Sequence, residues 1–83
     1  MILHNIREAD YVAPLNAQLC LSLSEDPEAG EYMWQFNAYR RDEQGHLHSM
    51  RTTTGRLTKS KTRAVAEANR AYDDFVAEYK LQK

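Results

Sequence analysis

The strict alternation of apolar and polar side chains over residues 15–23 constrains the fold more than any other feature of this sequence. The apolar positions are Leu15, Ala17, Leu19, Leu21 and Leu23, and the polar positions between them are Asn16, Gln18, Cys20 and Ser22. A period of two is typical of a β-strand with one buried and one open face. The chain is therefore expected to form a sheet that is covered on one side.

A second strand and a hairpin are predicted after this first strand. Turn-forming residues at positions 24–30 end the alternation. A new alternation then sets Tyr32, Trp34, Phe36 and Ala38 on one side and Met33, Gln35, Asn37 and Tyr39 on the other. The segment from Asp42 to Gly45 predicts a type I turn closed by a glycine in the left-handed region, with a third strand from His46 to about Thr53.

The turn determines which side chains of the third strand face the core. With the predicted bulge at the glycine, Met50 lies opposite Ala38 and points into the core. Arg51 then joins Tyr39 and Arg41 on the open face. A loop of two or four residues would exchange the two faces of this strand.

A long helix is predicted at the carboxyl end. Its apolar residues recur at spacings of three and four, namely Val65, Ala68, Tyr72, Phe75 and Tyr79. Such spacing gives one apolar stripe. Residues 52–59 are predicted to be a connection, and Ser60 or Thr62 is predicted to cap the helix. The fold class is α+β, with an antiparallel sheet of three or four strands and the helix packed on one face.

Length and composition indicate one domain spanning residues 1–83, with a modest core. Residues 1–13 suit either a helical turn or an extension of the first strand, and we expect a loosely attached N-terminal segment there. Cys20 is the only cysteine, so an intrachain disulfide is excluded. No window approaches the about 20 apolar residues of a membrane span. These features predict a soluble, cytoplasmic protein.

Catalytic and metal-binding motifs are missing from the sequence. The residue types of hydrolytic chemistry occur without a glycine-rich loop or a nucleophile elbow that would orient them. We therefore predict a non-enzymatic protein that needs no cofactor. His46 and His48 share one side of the predicted third strand, a spacing that can supply two metal ligands. Because nothing in the sequence brings a third ligand near them, we predict no metal site.

Charge is distributed unevenly along the chain. Residues 1–39 hold one basic and six acidic side chains, whereas residues 40–63 hold seven basic and two acidic ones. Residues 51–63 contain no acidic side chain at all. This basic segment favours an anionic partner, unless the acidic third of the chain folds against it and neutralises it.

The predicted start of the helix is the best candidate for an anion site. Lys61 and Arg63 lie in or beside the first turn, where they oppose the helix dipole. A bound anion would remove that conflict, because free backbone N–H groups and the hydroxyls of Ser60 and Thr62 would converge on it. A phosphate group is the expected ligand.

The predicted elements also carry residues in a recognisable order. These are Tyr32 and Trp34, Tyr39 and Arg40, the turn at Gly45, a basic linker, and a helix from Thr62 to Phe75. Together they resemble the amino-terminal arm-binding domain of phage-type tyrosine recombinases, over about residues 31–76. The resemblance implies a sheet that packs on a helix and presents its open face to the DNA major groove. The chain departs from that family in its acidic residues 1–30 and in having no room for a recombinase catalytic domain.

The residues and the resemblance together favour a small regulatory or phage-like module that binds duplex DNA. The predicted contacts are Tyr39, Arg41 and Arg51 on the sheet face, and Arg56, Lys59, Lys61 and Arg63 near the DNA backbone. The alternative is a protein–protein adaptor or inhibitor that uses the open face or an edge strand. The position of the acidic residues 25–31 distinguishes the two hypotheses, because contact with the basic segment would neutralise it internally.

Overall fold

The computed structural model describes residues 1–82 and contains one antiparallel sheet followed by one helix. The strands are β1 (Ile2–Val12), β2 (Ala17–Asp26), β3 (Glu31–Arg41) and β4 (Leu47–Thr54), and the helix is α1 (Lys61–Glu78). The order in the sheet is β1-β2-β3-β4, so each strand pairs with its neighbour in sequence. The predicted α+β class is confirmed, and the sheet has four strands.

The core lies between α1 and the inner face of β2 and β3. The buried residues of β2 and β3 are Ala17, Leu19, Leu21, Leu23, Trp34, Phe36 and Ala38, and the buried helix residues are Ala64, Ala68, Tyr72, Phe75 and Val76. Phe36 is central to this layer, because its ring lies edge-on at 5.6 Å from Tyr72 and 5.4 Å from Phe75. The alternating strand residues and the helical stripe thus bury each other, as their spacing predicts.

Residues 2–12 form a complete edge strand rather than a loosely attached segment. β1 pairs with β2 along its length, with two irregularities that follow Asn5 and Ala9. The Arg7 guanidinium lies 3.9 Å from the centre of the Tyr72 ring, and its Nη1 is 3.0 Å from Asp73 Oδ1. The first strand is therefore joined to α1 as well as to β2.

The β3–β4 hairpin has the predicted turn. Gly45 has φ 86°, in the left-handed region that favours glycine, and its N–H donates to the Asp42 carbonyl at 3.0 Å. The Asp42 carboxylate also accepts hydrogen bonds from the backbone N–H groups of Gln44 and His46, each at 2.9 Å. The aspartate and the glycine together explain why the chain reverses here.

The predicted face of Arg51 is wrong. The register runs as expected from Arg41 opposite Leu47 to Tyr39 opposite Ser49, and then shifts by one residue, so that Arg51 and not Met50 lies opposite Ala38. The extra residue is a bulge, which cannot be read from the alternation. Arg51 therefore points to the helix side, where its Nη1 is 2.9 Å from Glu78 Oε2. β4 also continues to Thr54, inside the segment predicted to be a connection.

The meander gives the molecule two distinct ends. The hairpin end contains the β1–β2 and β3–β4 connections (residues 13–16 and 42–46) and the carboxyl end of α1. At this end the backbone N–H of Gln82 donates to the Ala13 carbonyl at 2.9 Å. The opposite end contains the β2–β3 turn, residues 55–60 and the start of α1. Since this end carries Arg56, Lys59, Lys61 and Arg63, we call these four residues the basic end.

Candidate nucleic-acid interface

The basic end surrounds the first turn of α1. Ser60 is the N-cap, and its side-chain oxygen accepts a hydrogen bond from the Arg63 N–H at 3.1 Å. Lys61, Thr62 and Arg63 follow it, and the first turn holds no acidic side chain. Free backbone N–H groups and positive side chains therefore share one end of the helix, an arrangement that favours an anion.

The segment that leads into the basic end is fixed to β3. The Gly55 N–H donates to the Trp34 carbonyl at 3.0 Å, and Tyr32 and Thr58 exchange two backbone hydrogen bonds at 2.7 and 2.9 Å. Gly55 is needed for this approach, because a Cβ there would overlap the Trp34 indole. The indole N–H is buried and finds no acceptor within residues 1–82. The segment that carries Arg56 and Lys59 is therefore held against β3 by backbone hydrogen bonds.

Most cations of the basic end have no acidic partner in the described part of the chain. Arg63 Nε lies 3.2 Å from Glu67 Oε1, and the Arg63 side chain remains 73% exposed. Within residues 1–82, no carboxylate oxygen lies within 4 Å of the charged nitrogens of Arg56, Lys59 or Lys61. These three charges are therefore available to an external anion.

The acidic residues of the β2–β3 turn lie at the same end of the sheet. Glu31 precedes Tyr32 and Lys59 follows Thr58, so the two charges flank one backbone bridge. No ion pair joins Asp26, Glu28 or Glu31 to the basic end in the part of the chain that the structure describes. The acidic turn thus weakens the long-range field of the basic end without occupying its side chains.

Arg41 belongs to a separate cluster at the hairpin end. Its Nη1 lies 2.7 Å from Asp10 Oδ1, its guanidinium lies 4.1 Å from the centre of the Tyr11 ring, and its side chain is only 15% exposed. The hydrogen bond from Arg41 lowers the pKa of Asp10, and the same bond raises the pKa of Arg41. Tyr11 has φ 53°, and this left-handed backbone lies within the irregular end of β1. Arg41 therefore connects β3 to β1 across the open face.

The seven predicted DNA contacts are not clustered in one place. Tyr39 lies seven residues along β3 from the bridge at Tyr32, which corresponds to about 23 Å. Arg51 lies on the helix face, where the hydrogen bond to Glu78 raises its pKa. Only Arg56, Lys59, Lys61 and Arg63 lie together, with Ser60 and Thr62 between them.

On the open face of the sheet, β3 carries longer side chains than the strand positions beside it. Met33, Gln35, Asn37 and Tyr39 of β3 are half-buried on this face, and we call them the β3 ridge. The shorter side chains directly beside the ridge are Cys20, Ser22 and Ser24 on β2, and Ser49, Thr52 and Thr54 on β4. The ridge itself carries no charge. The predicted third strand ended at about Thr53, so Thr54 was missed as a strand residue, although three consecutive β-branched side chains favour a strand.

The two histidines of the hairpin face Asp42. His48 Nε2 lies 2.8 Å from Asp42 Oδ2, and His46 Nδ1 lies 3.8 Å from the same atom. The hydrogen bond from His48 is the largest of several contacts that lower the pKa of Asp42. Within residues 1–82, no group of three or more His, Cys, Asp or Glu side chains is arranged to hold a metal ion.

Comparison of the chain with protein-family models, with curated proteins and with solved structures gave no match. In the described part of the chain, no helix is both long enough and apolar enough to cross a membrane. The candidate interface consists of the basic end and the β3 ridge beside it.

Proposed function

We propose that this chain is a small, non-enzymatic, cytoplasmic module that binds duplex DNA. The β3 ridge enters the major groove, and the basic end contacts phosphates. The observation that supports this proposal most directly is the arrangement of Arg56, Lys59 and Lys61 at the end of an uncharged ridge. These three cations have no acidic partner within residues 1–82.

The size and chemistry of the ridge suit a groove. Neighbouring strands are about 4.8 Å apart, so β3 with its two flanking strands spans about 10 Å, whereas the major groove is about 12 Å wide. Gln35 and Asn37 offer hydrogen-bond donors and acceptors, and the flanking serines and threonines offer hydroxyls. These groups can contact base edges without the cost of burying a charge.

The basic end supplies the contacts that position the module. Lysine and arginine side chains and helix N-termini are common partners of DNA phosphates. Ser60 and Thr62 lie among these cations, so a phosphate at this end would meet both hydroxyls and backbone N–H groups. Arg41 and Arg51 are not required, because Arg41 is only 15% exposed beside Asp10 and Arg51 lies on the helix face beside Glu78.

A protein partner is the second candidate. The acidic β2–β3 turn beside the basic end reduces attraction to a polyanion, and an uncharged ridge suits a cleft in a protein as well. The two candidates differ in salt dependence, because the release of counterions from DNA makes its binding strongly sensitive to salt.

Fluorescence anisotropy with a labelled, mixed-sequence duplex at about 50 and about 200 mM salt tests the proposal. We expect log K to fall with log salt with a slope of about −3, since three to four phosphates would be neutralised. Arg56→Glu should reduce this slope by about one and weaken binding to all sequences alike. Arg70→Glu is the matched control, because Arg70 is also exposed and has no ion-pair partner within residues 1–82.

Equal losses in the Arg56 and Arg70 variants would show that net charge alone matters and would contradict the proposed interface. Absence of binding even at the lower salt concentration would exclude DNA and leave the protein partner as the better explanation of the ridge.

A further inference from the structure

The two amides in the middle of the β3 ridge are not used by the fold. Neither Gln35 nor Asn37 makes a side-chain hydrogen bond to another residue within residues 1–82. Asn69 differs, because its Nδ2 donates to the Val65 carbonyl at 3.1 Å and its Oδ1 accepts from Arg7. The ridge amides therefore keep their full donor and acceptor capacity for a ligand.

The side chains on either side of these two amides are short. Gln35 lies between Ser22 and Thr54, and Asn37 lies between Cys20 and Thr52. Burial raises the pKa of the Cys20 thiol, which therefore stays neutral and contributes no charge beside Asn37. Each amide thus has lateral room to reach a surface that approaches the sheet.

Resting on the proposed function, we infer that Gln35 and Asn37 read two adenines in the major groove, separated by one base pair. A side-chain amide presents an acceptor and a donor side by side, which matches the N6 amino group and N7 of adenine in a bidentate pair. Guanine and the pyrimidines present different patterns there. The chemistry of both residues therefore selects the same base.

The spacing of the two residues agrees with that of the bases. Alternate residues of a strand are about 6.7 Å apart on one face. Two base steps advance by about 6.8 Å along the DNA helix axis, at 3.4 Å for each step. When β3 lies along the groove, Gln35 and Asn37 meet bases n and n+2 of the same DNA strand.

Selection from a pool of randomised duplexes, followed by sequencing of the retained DNA, tests this inference. The wild-type protein should enrich a motif with adenines at n and n+2, each preferred roughly 10- to 100-fold over other bases. Asn37→Ala should remove the preference at one position and Gln35→Ala the preference at the other. Gln18→Ala is the matched control, because Gln18 lies on the same face beside Tyr39 and should leave the motif unchanged.

Circular dichroism and thermal unfolding of each variant show that the loss is not caused by unfolding, since all three side chains are only half-buried. Salt-dependent retention of the pool without a paired-adenine motif, or a motif that survives both alanine substitutions, would overturn the inference and leave the proposed function intact. A pool that is not retained even at low salt would overturn both.

Discussion

The hairpin end and the basic end of the sheet use their positive side chains in different ways. At the hairpin end, Arg41 is nearly covered by Tyr11 and hydrogen-bonds to Asp10. At the basic end, Arg56 and Lys59 have no acidic partner within residues 1–82. A cation that is covered and held by a carboxylate, as Arg41 is, contributes to the fold, whereas an exposed cation such as Arg56 is available to a ligand. The contact, and not the residue type, distinguishes the two roles.

The close contact between Gly55 and Trp34, which holds the segment before α1 against β3, can be disrupted by substituting Gly55. Gly55→Ala places a Cβ against the Trp34 indole, and we expect a loss of about 3 kcal/mol in the free energy of unfolding. Urea denaturation measures this loss. In a Trp34→Leu background, the same substitution should cost much less, because the overlapping ring is gone. An equal cost in both backgrounds would show that the overlap is not the cause.

The cap of α1 can separate folding from binding at the basic end. Ser60→Ala removes the acceptor for the Arg63 N–H and should cost about 1 kcal/mol of stability. Ser60→Asp keeps a capping acceptor and suits the helix dipole, so its stability should match or exceed the wild type. Its negative charge should nevertheless weaken DNA binding. Thermal unfolding and anisotropy together check this, and tighter DNA binding by the aspartate variant would contradict the role of this end.

Removing the ion pair between Asp10 and Arg41 should have the smallest effect on stability. The effect should be seen mainly in how Tm depends on pH. Asp10→Asn is expected to lower Tm slightly at pH 7 and to leave DNA affinity unchanged. Because the folded-state pKa of Asp10 is lowered, its stabilisation is present above the ordinary aspartate pKa of about 3.9 and is lost as pH falls through the folded value. The difference in Tm between wild type and variant should therefore vanish in acid.

Glu43→Gln is the control for that measurement, since Glu43 is exposed and makes no ion pair within residues 1–82. A gap in Tm between the wild type and Asp10→Asn that persists at acid pH, or a loss of DNA affinity in Asp10→Asn, would contradict the assignment of Arg41 to the fold.

The central strands and the helix could be predicted because their patterns are uninterrupted. β2 and β3 pair without any irregularity, so the period of two holds along both strands. The helix stripe is equally regular, and the turn at Gly45 has the aspartate and glycine that its geometry requires. Each of these features depends on residues that are close in sequence.

The features that the sequence did not predict depend on bulges and on contacts between residues that are distant in sequence. β1 has two irregularities, and each shifts the phase of the alternation, so its sequence did not distinguish a strand from a helical turn. The bulge at Met50 moved Arg51 to the other face for the same reason. Whether Arg41 or Arg56 has an acidic partner is decided by residues such as Asp10, which lies far away in sequence. The sequence could name the basic segment as a candidate, but it could not tell that Arg41 and Arg51 lie apart from it beside carboxylates.

The regular pairing of β2 with β3 has a consequence for the order of folding. Their connection is short, so little chain entropy is lost when the two strands meet. Because the meander pairs only strands that follow each other in sequence, its contact order is modest for a sheet. We expect this central hairpin to form in the transition state and β1 to join afterwards. Substitutions at Leu21 should then slow folding, whereas substitutions at Arg7 should mainly speed unfolding.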